Sequence, residues 1–263
     1  MGQELLGSPI RKELLAKLKA RVEEKPSFIA HLIYNPSSYE SYSYICLIEK
    51  ALIKLGIEYV KKEVKEYEEA YEAIKVANED DRAMIFLARP LKIVDESLLI
   101  EMIDPNKDAD MLTSSSLGKL VKGDLKYLSG TSSAVNKLLD YYSIDCTGKK
   151  ALIVGRSISV GLPISLMMLK RNALVKIVHS RISKEEIDSE ASQSNIVILC
   201  AGQRGLVKTL KEDAILIDCG YQDDGKGDLG FVPTCSYTPV PGGVGPITIL
   251  ALIENAYYLY DNK

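Results

Sequence analysis

The chain has 263 residues, room for one large domain or two modest ones. Hydrophobic residues make up 46% and charged residues 26%, the formal net charge is −3 and there are two histidines. This composition suits a soluble globular enzyme and argues against nucleic acid, an anionic membrane or a His-based metal site. The five cysteines, Cys46, Cys146, Cys200, Cys219 and Cys235, lack metal-ligand spacing, which points to a reduced, cytoplasmic compartment. Neither a signal peptide nor a membrane span is expected.

Residues 9–24 read as an amphipathic helix, with Pro9 near its start, Leu14, Leu15 and Leu18 on one side, and Pro26 as its stop. A strand over 28–34 and a turn at 35–38 follow, then a helix to about Leu55 with Gly56 as its C-cap. Residues 57–64 read as a strand, 66–78 as a Glu-rich helix, 83–88 as a strand and 95–103 as a short helix. Alternating strands and helices predict a largely parallel sheet. Residues 104–130 lack periodicity and read as a connection between two domains. A helix over 132–142, strands over 151–154, 174–179, 195–201 and 214–219, and a helix over 161–171 describe a second, Rossmann-like α/β domain. Residues 223–230 read as a flexible charged loop, and 247–260 as a last helix.

The stretch from Ala151 to Pro163 organises the second half. An apolar run ends at Gly155, and Gly161 with Pro163 opens a helix, which is how α/β folds offer backbone N–H groups to a phosphate. Arg156 is placed for a phosphate on an adenosine ribose. A solvated arginine in an ordinary strand–helix turn accounts for it equally well.

Four stretches occur in order: Ser41-x-x-Tyr44 opening a helix, Asp104–Asp110, Val154–Pro163 and Pro239–Thr248. Together they resemble the bifunctional methylenetetrahydrofolate dehydrogenase/cyclohydrolase (FolD) family over nearly the whole chain. The resemblance implies a folate-binding catalytic domain over 1–118 plus 246–263, with the C-terminal helix returning to it. It also implies a Rossmann-like NADP-binding domain over 119–245, a homodimer through that domain, and a cleft holding folate against the nicotinamide. There 5,10-methylenetetrahydrofolate loses a hydride to NADP⁺, and water opens the methenyl product to 10-formyltetrahydrofolate.

The resemblance also implies roles. Asp110 would accept hydrogen bonds from the pterin edge, which offers adjacent donors. Tyr44 would stack on the folate and reach the reacting centre, with Ser41 one turn earlier on the same side. Pro241, Gly242 and Gly243 would border the substrate, although a tight loop before the last helix accounts for the glycines as well. On the cofactor side stand Thr131, Gly155, Arg156, Ser157 and Val160, then His179, Ser180 and Arg181 after the next strand, and Tyr221 near the nicotinamide. No acid ends that strand, as an NAD-selecting site would require.

Three positions depart from the family pattern. Its Tyr-x-x-x-Lys is here Tyr44 to Ile48, its Val-Gln-Leu-Pro-Leu-Pro places Phe86 at the glutamine, and its Pro-Cys-Thr-Pro is Ser129-Gly130-Thr131-Ser132. The expectation is therefore a dehydrogenase whose cyclohydrolase lacks its lysine and glutamine. The alternatives are a catalytically silent nucleotide-binding or regulatory homologue and an unrelated NADP reductase.

Overall fold

The computed structural model describes residues 2–25, 27–222 and 224–263. The expectations placed on Pro26 and Asp223 lie outside the described residues. The chain forms two compact units, Leu14–Leu128 with Ile249–Lys263, and Met1–Glu13 with Ser129–Thr248.

Helix α1 (Ser8–Glu24) is followed by β1 (Ile29–Tyr34), α2 (Tyr39–Leu55), β2 (Tyr59–Glu63), α3 (Tyr67–Glu79), β3 (Ala83–Leu87), α4 (Glu96–Glu101) and α5 (Ser114–Lys122). The strands pair in parallel in the order β2-β1-β3. β3 reads Ala-Met-Ile-Phe-Leu and is buried throughout, the pattern of a strand covered on both faces. Ile33, Ile74, Ile85, Leu87 and Leu99 share one core. On α2 the buried residues Ser41, Ile45, Ile48, Leu52 and Leu55 recur every three or four positions. Gly56 ends that helix in the left-handed region, φ +72°, as expected of its C-cap.

Helix α5 lies inside the stretch expected to be a bare connection. Its opening Ser-Ser-Ser and internal Gly118 hide a short apolar face of Leu117, Leu120 and Val121 at helical spacing, and capping sets its ends. Thr113 Oγ1 accepts from Ser116 N at 3.1 Å, and Gly123 closes the other end at φ +104°.

The second unit contains α6 (Gly130–Tyr141), β4 (Lys150–Val154), α7 (Gly161–Lys170), β5 (Leu174–Val178), α8 (Lys184–Ala191), β6 (Ile196–Leu199), β7 (Ile215–Asp218) and β8 (Ser236–Tyr237). All of its strands are parallel, in the order β5-β4-β6-β7-β8. Val154 pairs with both Val178 and Leu199, and Leu199 with Asp218, so four strands end level. Ligands of such sheets bind outside those carboxyl ends. α8 and β8 escape sequence reading because α8 buries only Ile187 and Ala191 and β8 has two residues.

The described part of the 223–230 loop is tied down rather than flexible. Asp228 is buried, and its Oδ2 accepts from the amides of Ala201 and Gly202 at 3.0 and 2.9 Å. Buried Asp218 accepts from the amides of Gly220, Asp228 and Leu229. Within the stretch read as a flexible charged loop, Asp228 thus satisfies loop amides.

Helix α9 (Gly245–Asp261) ends the chain. From Ile249 onward it belongs with the 14–128 unit, as the resemblance implies. Glu254 pairs with Lys17 at 2.6 Å, Asp261 with Arg21 at 2.5 Å, and the Tyr257 ring meets the Phe28 ring edge-on at 4.8 Å.

Candidate functional site

In the 14–128 unit, Tyr44 sits on α2 and Asp110 follows a short strand-like segment beside β3. Ile85 N donates to Lys107 O at 2.8 Å and Ala109 N donates to Ile85 O at 3.2 Å, extending the sheet by one parallel bridge. Around this bridge several buried polar groups are hydrogen-bonded. Lys107 is buried and caps α3, donating to the carbonyls of Ala77, Asn78 and Asp80. Asp108 accepts from the amides of Leu112 and Thr113 at 3.0 and 2.9 Å, while the Tyr127 hydroxyl donates to its carbonyl. Asn255 on α9 donates to the carbonyls of Ala109 and Leu128. The scaffold thus fixes the backbone on which Asp110 stands.

Tyr44 Oη donates to Asp110 Oδ2 at 3.0 Å. Burial around the phenol oxygen, then the Asp110 charge and this bond, push the hydroxyl well above its ordinary range. The phenol is therefore neutral at physiological pH and its single proton points at the carboxylate. Ser41, expected to touch substrate, is 0% exposed. Its hydroxyl donates to Ala88 O at 2.8 Å and accepts from Asn35 N at 3.2 Å, so it locks the start of α2 to the loops after β1 and β3. These bonds use its hydroxyl for positioning within the unit.

In the other unit, a cavity of about 310 Å³ opens at the ends of β4, β5 and β6. Gly155, Arg156, Ser157, His179 and Ser180 come together in its lining. Gly155 has φ +131°, and a Cβ there would lie 2.6 Å from Cys200 O. A Cβ on Gly161 would lie 2.4 Å from Gly155 O. Both glycines are required for the strand to turn tightly into α7. Ser157 Oγ accepts from Gly161 N at 3.3 Å. His179 Nδ1 accepts from Arg181 N at 3.2 Å, which leaves Nε2 as the ring's donor when the imidazole is neutral.

Lys184 and Gln203 also line the cavity and were not singled out in the sequence. Arg181 is not among the lining residues. The lining contains two cationic side chains, Arg156 and Lys184, and no carboxylate, beside the apolar walls of Ile182, Ile187 and Leu206. Such a lining fits an adenosine carrying a phosphate. Cys200 lines it too, but burial pushes its thiol to about 12, which rules out a thiolate nucleophile near neutral pH.

A model of the tetrahydrofolate dehydrogenase/cyclohydrolase catalytic domain matches residues 5–110, and one of the NAD(P)-binding domain of the same enzymes matches residues 129–263. The chain belongs to the tetrahydrofolate dehydrogenase/cyclohydrolase family. It is 34% identical to the bifunctional protein FolD of Lactobacillus delbrueckii subsp. bulgaricus, over 98% of this chain and 97% of that one. Among solved structures it is similar to the FolD methylenetetrahydrofolate dehydrogenase/cyclohydrolase of Campylobacter jejuni, with a TM-score of 0.88, 29% identity, and coverage of 100% of this chain and 99% of that one. It is also similar to the Trypanosoma brucei FolD solved with NADP cofactor and inhibitor, with a TM-score of 0.89, 27% identity, and coverage of 99% and 98%.

Within this FolD family frame the remaining expected residues fall as follows. Ile48, one turn after Tyr44, is 0% exposed, and Phe86 is 1% exposed on β3. Both belong to an apolar core, and the Phe86 ring lies 6.1 Å from that of Phe28. Thr131 is on the first turn of α6, whose N-terminal end is tied to the loop before Val160 by Ser129 Oγ donating to Ser159 O at 3.0 Å. Val160 holds the N-cap position of α7. Tyr221 is 75% exposed and does not line the cavity. After Pro241, Gly242 has φ +124°, and Gly243 N donates to Pro239 O at 2.7 Å. A Cβ on Gly243 would lie 2.5 Å from Thr238 Cβ, so closure of the loop itself demands this glycine.

Proposed function

We propose that the chain is an NADP-dependent methylenetetrahydrofolate dehydrogenase, oxidising 5,10-methylenetetrahydrofolate to 5,10-methenyltetrahydrofolate, with weak cyclohydrolase activity. The observation that carries this is the Tyr44–Asp110 pair, held at 3.0 Å beside a hydrogen-bonded backbone bridge. A carboxylate has about four acceptor sites, so Asp110 takes the pterin's amino and ring N–H donors as well as the tyrosine hydroxyl. Asp110 thereby binds and orients the folate, and Tyr44 presents its ring to it. When bound, the nicotinamide supplies the hydride acceptor. Gly155 and Gly161 let the phosphates approach the backbone, and Arg156 selects the phosphorylated ribose.

Hydride transfer asks the protein for alignment and little proton chemistry. Opening the methenyl ring with water asks for proton transfer. Tyr44 is a neutral phenol bonded to a carboxylate, and Ile48 and Phe86 carry no protons to exchange. This chemistry supports the first reaction and weakens the second. We further assign Pro241, Gly242 and Gly243 to the substrate side, Thr131, Val160 and Tyr221 to the cofactor side, and the protein to the cytoplasm as a homodimer. Leu174 and Ile177, exposed on the edge strand β5, support a dimer through the NADP-binding unit. The purified chain, given 5,10-methylenetetrahydrofolate and NADP⁺, should form NADPH. A chain that binds NADP⁺ and forms none would support the silent homologue instead.

A further inference from the structure

The cofactor cavity contains a cation outside the family motif. Lys184 is the first residue of α8, after Ser183, whose Oγ caps the helix by accepting from Glu186 N at 3.2 Å. That cap and the turn closed by Ile182 N donating to His179 O at 2.9 Å set Lys184 on the wall formed by the end of β5. Arg156 approaches from the neighbouring strand, since Gly155 N donates to Val178 O at 2.9 Å. Lys184 and Arg156 thus line one cavity from adjacent strand ends. Neither side chain has an ion-pair partner among the described residues. Glu185 and Glu186 follow in the sequence but do not line the cavity. Two cations without a countercharge, with Ser180 and a ring donor of His179, form an anion site. The apolar residues Ile182 and Ile187 alongside suit a purine face.

We propose that Lys184 is a specificity-determining contact for the 2′-phosphate of NADP, sharing with Arg156 the role that the motif alone would give to Arg181. The inference rests on the assignment of this cavity to NADP. An ammonium is a compact point charge on a flexible stem, so it meets a phosphate without the bidentate geometry of a guanidinium. A charge-assisted bond of this kind is worth about tenfold or more in affinity.

The test is titration of the whole protein with NADP⁺, NAD⁺ and adenosine 2′,5′-bisphosphate, for the wild type, Lys184→Gln and Arg181→Gln. Lys184→Gln should weaken NADP⁺ and the bisphosphate about tenfold and leave NAD⁺ nearly unchanged, while Arg181→Gln changes each by far less. Equal weakening of NADP⁺ and NAD⁺ by Lys184→Gln would place the lysine on the diphosphate bridge and overturn the proposal. So would a large selective loss in Arg181→Gln with none in Lys184→Gln. A wild-type protein that binds none of the three would instead overturn the cofactor assignment itself.

Discussion

The Tyr44 hydroxyl donates to Asp110 Oδ2 at 3.0 Å, across 66 positions of sequence. The bond commits the phenol proton to the carboxylate, and on the proposed function it joins the two residues assigned to the folate. Asp110→Ala should raise the KM for methylenetetrahydrofolate by roughly 10- to 100-fold for each charge-assisted bond lost. Its affinity for NADP⁺ should stay unchanged, because the cofactor cavity belongs to the other unit. Two of the causes that raise the Tyr44 phenol vanish with the carboxylate while burial remains, so its titration should move down. Ultraviolet difference titration and steady-state kinetics check both parts. An equal loss of NADP⁺ affinity would mean that Asp110 is structural.

Arg156 lines a cavity that contains no carboxylate, so NADP⁺ should be preferred over NAD⁺ by at least about tenfold. Arg156→Ala should narrow that preference by weakening NADP⁺ rather than by improving NAD⁺. Dissociation constants for the two cofactors decide it, and a wild-type protein indifferent to the 2′-phosphate would contradict the assignment.

Asn255 is buried and its amide serves the carbonyls of Ala109 and Leu128, directly before Asp110 and at the end of the same unit's main segment. Asn255→Leu leaves both carbonyls without that donor, at about 1–3 kcal/mol each where they stay dry. Chemical denaturation should show the loss. The folate KM should also rise while NADP⁺ affinity holds, because Asn255 positions the Asp110 loop. A destabilised variant with an unchanged folate KM would limit Asn255 to stability.

His31 sits on β1, almost wholly buried. Its Nε2 lies 3.4 Å from Asp80 Oδ2, and its Nδ1 has no partner among the described residues. Burial lowers its pKa, with Lys62 and Lys107 adding to the effect and Asp80 opposing it. The folded chain therefore holds a neutral imidazole where the unfolded chain takes a proton. Its contribution to stability is complete above the ordinary value of 6.5 and is lost as pH falls through the lowered folded value. Denaturation series below pH 6.5 should show stability falling in the wild type and a flatter profile in His31→Leu. Parallel profiles would show that other groups set the slope.

The two sheets are legible in the sequence, whereas Tyr44 and Asp110 stand out there only separately and their bond does not. Continuous apolar runs such as Ala151–Val154 and Ala83–Leu87 announce buried parallel strands because both faces are covered. Strand β8 is invisible because only a two-residue pairing defines it, and helix α5 is hidden because three serines and a glycine surround the short run of Leu117, Leu120 and Val121 that carries its periodicity. Ser41 looked like a substrate contact because a motif records only that a hydroxyl is needed, and it takes the bonds to Ala88 and Asn35 to show why. Lys184 was missed because it lies past the motif, and only the turn after β5 returns it to the cavity.

On the proposed function, Ile48 and Phe86 fill the two positions where the family pattern has its lysine and glutamine, and both are buried. The most direct measurement follows NADPH and methenyltetrahydrofolate together, by absorbance, while the wild-type protein turns over 5,10-methylenetetrahydrofolate. The two should rise nearly one for one, because the methenyl compound outlives its formation. Ile48→Lys with Phe86→Gln should then raise hydrolysis by something like the 10²–10⁴-fold of one acid–base group. NADPH rising while the methenyl compound is hydrolysed as fast as it forms, or no NADPH at all, would contradict the account.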